Sequence, residues 1–411
     1  MIYNFCGGAY KTFSPNLNAQ ECVNFEPVVD KHGGKSVISL RGTPGLKTWC
    51  DPSHYAEVRG IHVMDDRLFS VVGNTLYLIN KGGDETAATT ELLTSSGSIS
   101  MADNGTQLMV VDGRFGYIIT QATSTPTLTI IVDGDFPLNP TTVTYQDGYF
   151  IVTYSGSGRV YISDLNDGTN WDGTMYFNAE AKPDDSLALI SNHRILSIFG
   201  SDTIESWYNS GATVPFDRQP GSTQEIGIGA FKSVASLENT IYFISNNLQI
   251  CKLEGFNPQI VSTPAVEYQI AQYSKTNDAL GFGYTQQGHT YYVLTFPTGN
   301  ATWVYDVSTG FWHQRASYPS PYESRWRANC YAHFDGKHIV GDYQNGKLYE
   351  LDYETYTDNS EVIKRVRAGP SIHKDQKNIF LHEFEIEFEA GVGLSGGVQG
   401  EDPQAMLRWS K

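Results

Sequence analysis

The chain is 411 residues long, carries a formal net charge of −17 and is 13% aromatic, with 40 glycines spread along its length. So acidic a chain lacks the clustered Lys and Arg that displace counterions from a phosphate backbone, which excludes a general nucleic-acid binder and leaves only DNA that slides past an acidic wall. No stretch approaches the ~20 apolar residues of a membrane helix, so no membrane insertion is expected.

In chain order, residues 1–57 read as an irregular, turn-rich arm with one strand-like stretch, "SVISL". Its start, "MIYNFCGGAYKTFSP", has no basic flank and no long apolar run, so no signal peptide is expected. Cys6, Cys22 and Cys50 fall in this arm, and Cys251 and Cys330 follow later. Five is an odd number and no CxxC pair occurs, which points to free thiols in a protein assembled in a reducing cytoplasm.

From residue 58 a unit begins to recur. Each opens on a polar turn followed by an apolar strand: "DDRLFSVV" at Asp65, "DNGTQLMVV" at Asp103, "QDGYFIVTY" at Gln146, "SNHRILSIF" at Ser191, "LENTIYFIS" at Leu237, "QQGHTYYVL" at Gln286 and "FDGKHIVGD" at Phe334. Successive openings are separated by 38, 43, 45, 46, 49 and 48 residues. A flanking strand precedes most openings and a second turn and strand follow, as in "WVYDVSTGFWHQR", where Trp303, Tyr305 and Val307 share one strand face and Ser308-Thr309-Gly310 turns the chain. Four short strands per ~40–45 residues is the arithmetic of a β-propeller. The reading is therefore all-β, with about seven four-stranded blades over 58–367, or six if the first unit is irregular. The alternative is a pair of β-sandwiches, which have no need of a constant pitch. The best helical stretch is Thr263–Ser274, between two blades.

Residues 368–411 are expected to form a small C-terminal β segment that serves as an interface element. In "IFLHEFEIEFEAGVGL", Phe380, His382, Phe384, Ile386 and Phe388 alternate with Leu381 and the glutamates 383, 385, 387 and 389, the pattern of a half-buried strand over Ile379–Glu389. "QAMLRWS" is its one local strand partner. Two strands are marginal alone in water, so the apolar face must be covered by the propeller, a neighbouring subunit or another protein.

The search for chemistry returns little. Asp65-Asp66, Asp184-Asp185 and the Glu383–Glu389 row are the paired carboxylates a glycosidase would need, but they read better as turns and a strand face. Arg325 and Arg327 in "ESRWRAN" share a strand face without a third arginine, so they do not form a sialidase-type cluster. The ten histidines show no HxH or HExxH spacing, and His289, His333 and His338 sit in or beside blade openings. "DLNDGTNWDG" (Asp164–Gly173) departs from a calcium loop, with glycine one place early and Met175 where a bidentate glutamate belongs. "GLSGGVQG" (Gly393–Gly400) lacks a strand–helix context. No catalytic residue, cofactor site or metal site is expected. The basic group Lys364, Arg365 and Arg367 is either a salt-bridged edge or a contact to a neighbouring subunit's acidic row.

Several long, ordered segments carry a resemblance: "NAQECVNFEP…GGKSVISLRGTPGL", "SGRVYISDLNDGTNWD", "FNAEAKPDDSLALISNHRILSIFGSDTIESWYNSG", "QQGHTYYVLTFPTGNATWVYDVSTGFWHQRAS", "FDGKHIVGDYQNGKLYELDYETYTD" and "DPQAMLRWS". In these the chain resembles the packaged-DNA stabilisation proteins, or tail accessory factors (tail-hub or nozzle proteins), of short-tailed bacteriophages. The resemblance implies a structural virion component, assembled in the host cytoplasm and not an enzyme. It implies a homo-oligomeric ring, commonly a hexamer, below the portal and its head-completion adaptor. Such a ring would continue the channel for double-stranded DNA without reading its sequence, retain packaged DNA and carry tail needle and tailspike or fibre proteins. Phe380, Phe384, Ile386, Phe388, Lys364, Arg365 and Arg367 are the expected subunit-interface residues. Family members continue beyond "LRWS", so the final domain is expected to be abbreviated or completed by a neighbour. Two other readings compete: a propeller-type polysaccharide-degrading tail protein, which needs convergent carboxylates, and a monomeric kelch-like or carbohydrate-binding module.

Overall fold

The polar openings are two-residue hairpin turns. Met64 pairs with Arg67, Asn192 with Ile195 and Leu237 with Thr240, and both residues between them have φ near +50° to +65°. The same turn recurs at Asp147-Gly148, Gln287-Gly288 and Asp335-Gly336. Positive φ at both central positions defines the type I′ turn, whose twist matches that of the flanking strands, and Asp, Asn and Gly reach that region at least cost. Only the second unit differs, with Asp103 pairing to Leu108 across a longer loop.

Six such turns and the longer loop of the second unit join the first and second strands of seven four-stranded antiparallel sheets in the computed structural model. It describes residues 3–14, 16–30, 32, 36–120, 125–179, 184–318, 323–373, 379–380, 382–383, 385–388 and 405–408. Blades 1 to 6 begin with inner strands Val58–Met64, Ser100–Asp103, Pro140–Gln146, Ser186–Asn192, Ala235–Leu237 and Leu280–Gln286. Blade 7 comprises Ala328–Phe334, Lys337–Asp342 and Leu348–Asp352, and its outer strand is Gly45–Cys50, nearly three hundred residues earlier. Residues 45–50 thus lie inside the propeller, not in a separate arm, because the free edge of the last blade needs a backbone partner.

Seven apolar clusters fill the seven gaps between successive sheets. Phe69 and Val71 of blade 1 meet Leu108 and Val110 of blade 2, and the series runs round to Phe334 and Ile339 of blade 7 against Val58 and Leu68 of blade 1. Each sheet is buried on both faces, which is why second strands such as His289–Phe296 are buried throughout. Two separate sandwich cores would not produce this closed series. The helix is Pro264–Ile270, shorter than the sequence pattern, with Thr263 accepting from the Val266 amide at its N-cap.

The rest of the arm wraps blade 6. Ala19–Val23 lies parallel to the outer strand Trp312–Ser317 and antiparallel to Val366–Ala368, while Phe25–Val29 and Ile38–Gly42 form a hairpin. The strand expected over Ile379–Glu389 does not occur among the described residues, which include Phe380, Ile386 and Phe388, and Phe384 lies outside them. Alternation alone cannot make a strand; the backbone also needs a ladder, and 405–408, the described part of "QAMLRWS", supplies none.

Candidate functional site

Inner strands converge on the propeller axis, and there the chain forms a half-open cavity of about 570 Å³ lined from blades 5, 6, 7, 1 and 2. Lys232, in the short 3-10 turn Phe231–Ser233 before blade 5, extends its ammonium across the axis to the Ile99 carbonyl at the entrance to blade 2. These blades stand on opposite sides of the ring, so one side chain bridges the channel. Arg59 of blade 1 fixes the loop bearing Ile99: its five N–H groups bond the carbonyls of Gly73, Thr94, Ser96 and Gly97 and the Thr94 hydroxyl. Burial, with Arg59 adding repulsion, pulls Lys232 down to about 7.

A second polar centre ties the arm to the propeller. Glu26 is fully buried and accepts from Arg315 Nη2 at 2.8 Å, from Arg41 Nη2 at 2.9 Å and from the Tyr353 hydroxyl at 2.9 Å. Arg315, on the outer strand of blade 6, lies 4.7 Å from the Trp326 ring centroid and within 5.5 Å of those of Tyr284 and Tyr291. Arg41 stacks over Tyr353 at 4.3 Å. Beside it His313 is kept neutral, far below its usual pKa, by burial and by Arg315. The arrangement is structural: one carboxylate joins the arm hairpin, blade 6 and the end of blade 7.

Nearby, burial holds the Asp358 carboxyl up to about 7 against the Ser317 hydroxyl and the charges of Arg327, Arg315 and Arg365. A raised acid binds protons in the folded state that it releases when unfolded, so its contribution to stability is lost as pH rises from ~4 to 7. For Lys232 the sign reverses: its folded value lies below the unfolded one, so stability is regained as pH rises from 7 to ~10.5. Thermal melts across pH should therefore show Asp358→Asn gaining on the parent between pH 4 and 7, and Lys232→Met losing its advantage above pH 7. Parallel profiles for parent and variants would refute the assignments.

The sequence candidates do not assemble into a reactive site. Asp184 accepts from the amides of Asp202 and Thr203 at 2.9 Å, and Asp66 pairs with Lys81 at 2.5 Å. Asp167 and Asp172 accept from the amides of Thr169 and Thr174 within one strand of blade 3, Asp167–Asn178. Arg325 stacks 3.7 Å from the Tyr343 ring centroid, and Arg327 pairs with Asp342 and Glu361 at 3.2 Å. His289 bonds Asp306 at 2.8 Å and His338 bonds Tyr331 at 2.9 Å. Among the described residues no three His, Cys, Asp or Glu side chains group as metal ligands, and the five cysteines are unpaired.

The basic group divides. Arg367 bonds the carbonyls of Phe5, Gly8 and Glu21 and the Gln20 side chain, and Arg365 bonds the Thr43 carbonyl. Both hold the arm of their own chain, whereas Lys364 is exposed beside Tyr318. Phe380 and Phe388 are 78% and 62% exposed, and Ile386 is also exposed. Lys232 and Glu26 escaped the sequence reading because each is one residue without a local pattern; only non-local packing joins them to their partners.

A closed all-β ring whose polar centres hold its own segments together defines a structural β-propeller. The chain belongs to the packaged-DNA stabilisation (tail accessory factor) family of phages: the family described as "Bacteriophage P22 Gp10, beta-propeller" matches residues 4–356. It is thus a phage tail and DNA-stabilising propeller protein and a virion component. No curated protein matches the sequence. Among solved structures, a catalytically inactive virginiamycin B lyase from Staphylococcus aureus is similar at 13% identity and TM-score 0.49, covering 75% of this chain and 98% of its own. The WD40 propeller domain of Doa1 is similar at 12% identity and TM-score 0.46, covering 74% and 97%.

Proposed function

We propose that copies of this chain form a ring, commonly of six, below the portal and head-completion adaptor, where they continue the DNA channel, retain packaged DNA and anchor needle, tailspike or fibre proteins. The observation that carries this reading is the family match over residues 4–356. Lys232 crosses the axis of the single propeller, so DNA would pass along the axis of the ring and not through a subunit. The net charge of −17 suits a wall along which a polyanion moves without sticking. Closed rings need two unlike surfaces that pair head to tail, and the exposed Phe380, Ile386 and Phe388 with Lys364 are candidates for one of them.

The test is reconstitution with portal–adaptor complexes, with copies counted by electron microscopy. A ring of several copies coaxial with the portal is expected, and single copies bound peripherally would overturn the reading. Phe388→Asp should melt like the parent, because the ring it alters faces solvent, yet reduce ring formation at least about tenfold by placing an unpaired charge in the contact. Undiminished assembly by the folded variant would remove this segment from the interface.

A further inference from the structure

We propose that the axial cavity is a binding site for a small organic monoanion, a carboxylate or phosphate diester on an apolar body, with the Lys232 ammonium as its counter-ion. The cavity, about 570 Å³, lies within the usual size of small-molecule sites. Its wall is apolar and aromatic where Ile99, Met101, Phe231, Phe282 and Tyr331 face it, which suits a flat or branched hydrocarbon body.

Lys232 stands ready for an anion. An ammonium has three donors, and Lys232 uses one on the Ile99 carbonyl. No carboxylate bonds it among the described residues, and the acids in or beside the cavity have other partners: Glu57 accepts from Asn329, Asp103 from His62 and Asp278 from Thr298. Arg59 has spent all its donors on its own loop, so it adds positive charge without competing for the ligand. Lys275 and Arg59 line the cavity with Lys232, while Glu57 and Asp278 offset two of these three charges, so one anionic group is favoured over a polyanion. Burial first, and then the Arg59 charge, depress the pKa of Lys232, and an anion beside the ammonium would act in the opposite direction.

The test uses the full chain with two monoanionic probes, benzoate and methyl phenyl phosphate, followed by calorimetry and thermal shift against Lys232→Met and Lys232→Gln. At least one probe is expected to bind the parent at millimolar or lower concentration and raise its melting temperature. Both variants should lose about tenfold or more in affinity, as for a charge-assisted hydrogen bond. The benzoate and methyl phenyl phosphate arms, equal in charge, separate a carboxylate from a phosphate preference. A structure with 4-bromobenzoate, located by bromine scattering, gives a readout without any variant and should place the carboxylate on Lys232. Failure of both probes to bind, unchanged affinity in a folded variant, or bromine outside the cavity would each overturn the proposal. Ring assembly is measured separately, so this outcome does not depend on the tail role.

Discussion

Glu26→Ala is expected to destabilise the protein by about 3–5 kcal/mol, the usual cost of breaking a buried ion pair from one side. Arg315 has 1% of its side chain exposed and, among the described residues, reaches no other carboxylate by a direct contact. Its guanidinium would remain charged between Tyr284, Tyr291 and Trp326 without its ion-pair partner, and only the more distant Asp358 could offset it. Arg41 would suffer less, since its side chain is 30% exposed and also bonds Gln287. Urea unfolding followed by tryptophan fluorescence measures the loss. Removing both charges with Glu26→Leu and Arg315→Met should recover much of it, because a hydrophobic pair has no desolvation cost to offset. A single variant as stable as the parent would mean that the arm is not fixed through this carboxylate.

Removing residues 1–50 is expected to abolish cooperative folding. The deletion strips the outer strand from blade 7, exposing the edge of Leu348–Asp352, and takes Leu46 and Cys50, each 2% exposed, out of the cores on either side of that blade. An unpaired edge is a template for association with other chains. The truncated chain should therefore appear as aggregate or as a monomer without a sharp thermal transition. Leu46→Asp is the point counterpart, burying a charge at the same seam. A soluble truncated monomer melting cooperatively at the parent's temperature would show that the ring closes without this strand.

The family, the all-β class and the blade pitch were legible in the sequence for a local reason. A type I′ turn needs residues that accept positive φ, and a buried strand needs an apolar run beside it, so "DDRLFSVV" and "ENTIYFIS" each announce one hairpin. Repetition then announces the ring, because a single blade cannot bury its own two faces. The unpaired thiols were readable from cysteine count and spacing, and a helix within Thr263–Ser274 from its pattern, though the structure keeps only Pro264–Ile270 of it.

Tertiary structure decided what depends on partners distant in the chain. That Gly45–Cys50 completes blade 7 follows from a free sheet edge that exists only once the ring has formed. Arg365 and Arg367 looked available for a neighbour, but carbonyls some 320 to 360 residues earlier use them. The alternation around Phe388 promised a strand, yet a strand exists only where a ladder receives its backbone, and alternation does not supply one. Lys232 has no pattern in the sequence at all; its place across the axis is set by the diameter of seven closed blades, a length no local stretch of residues encodes.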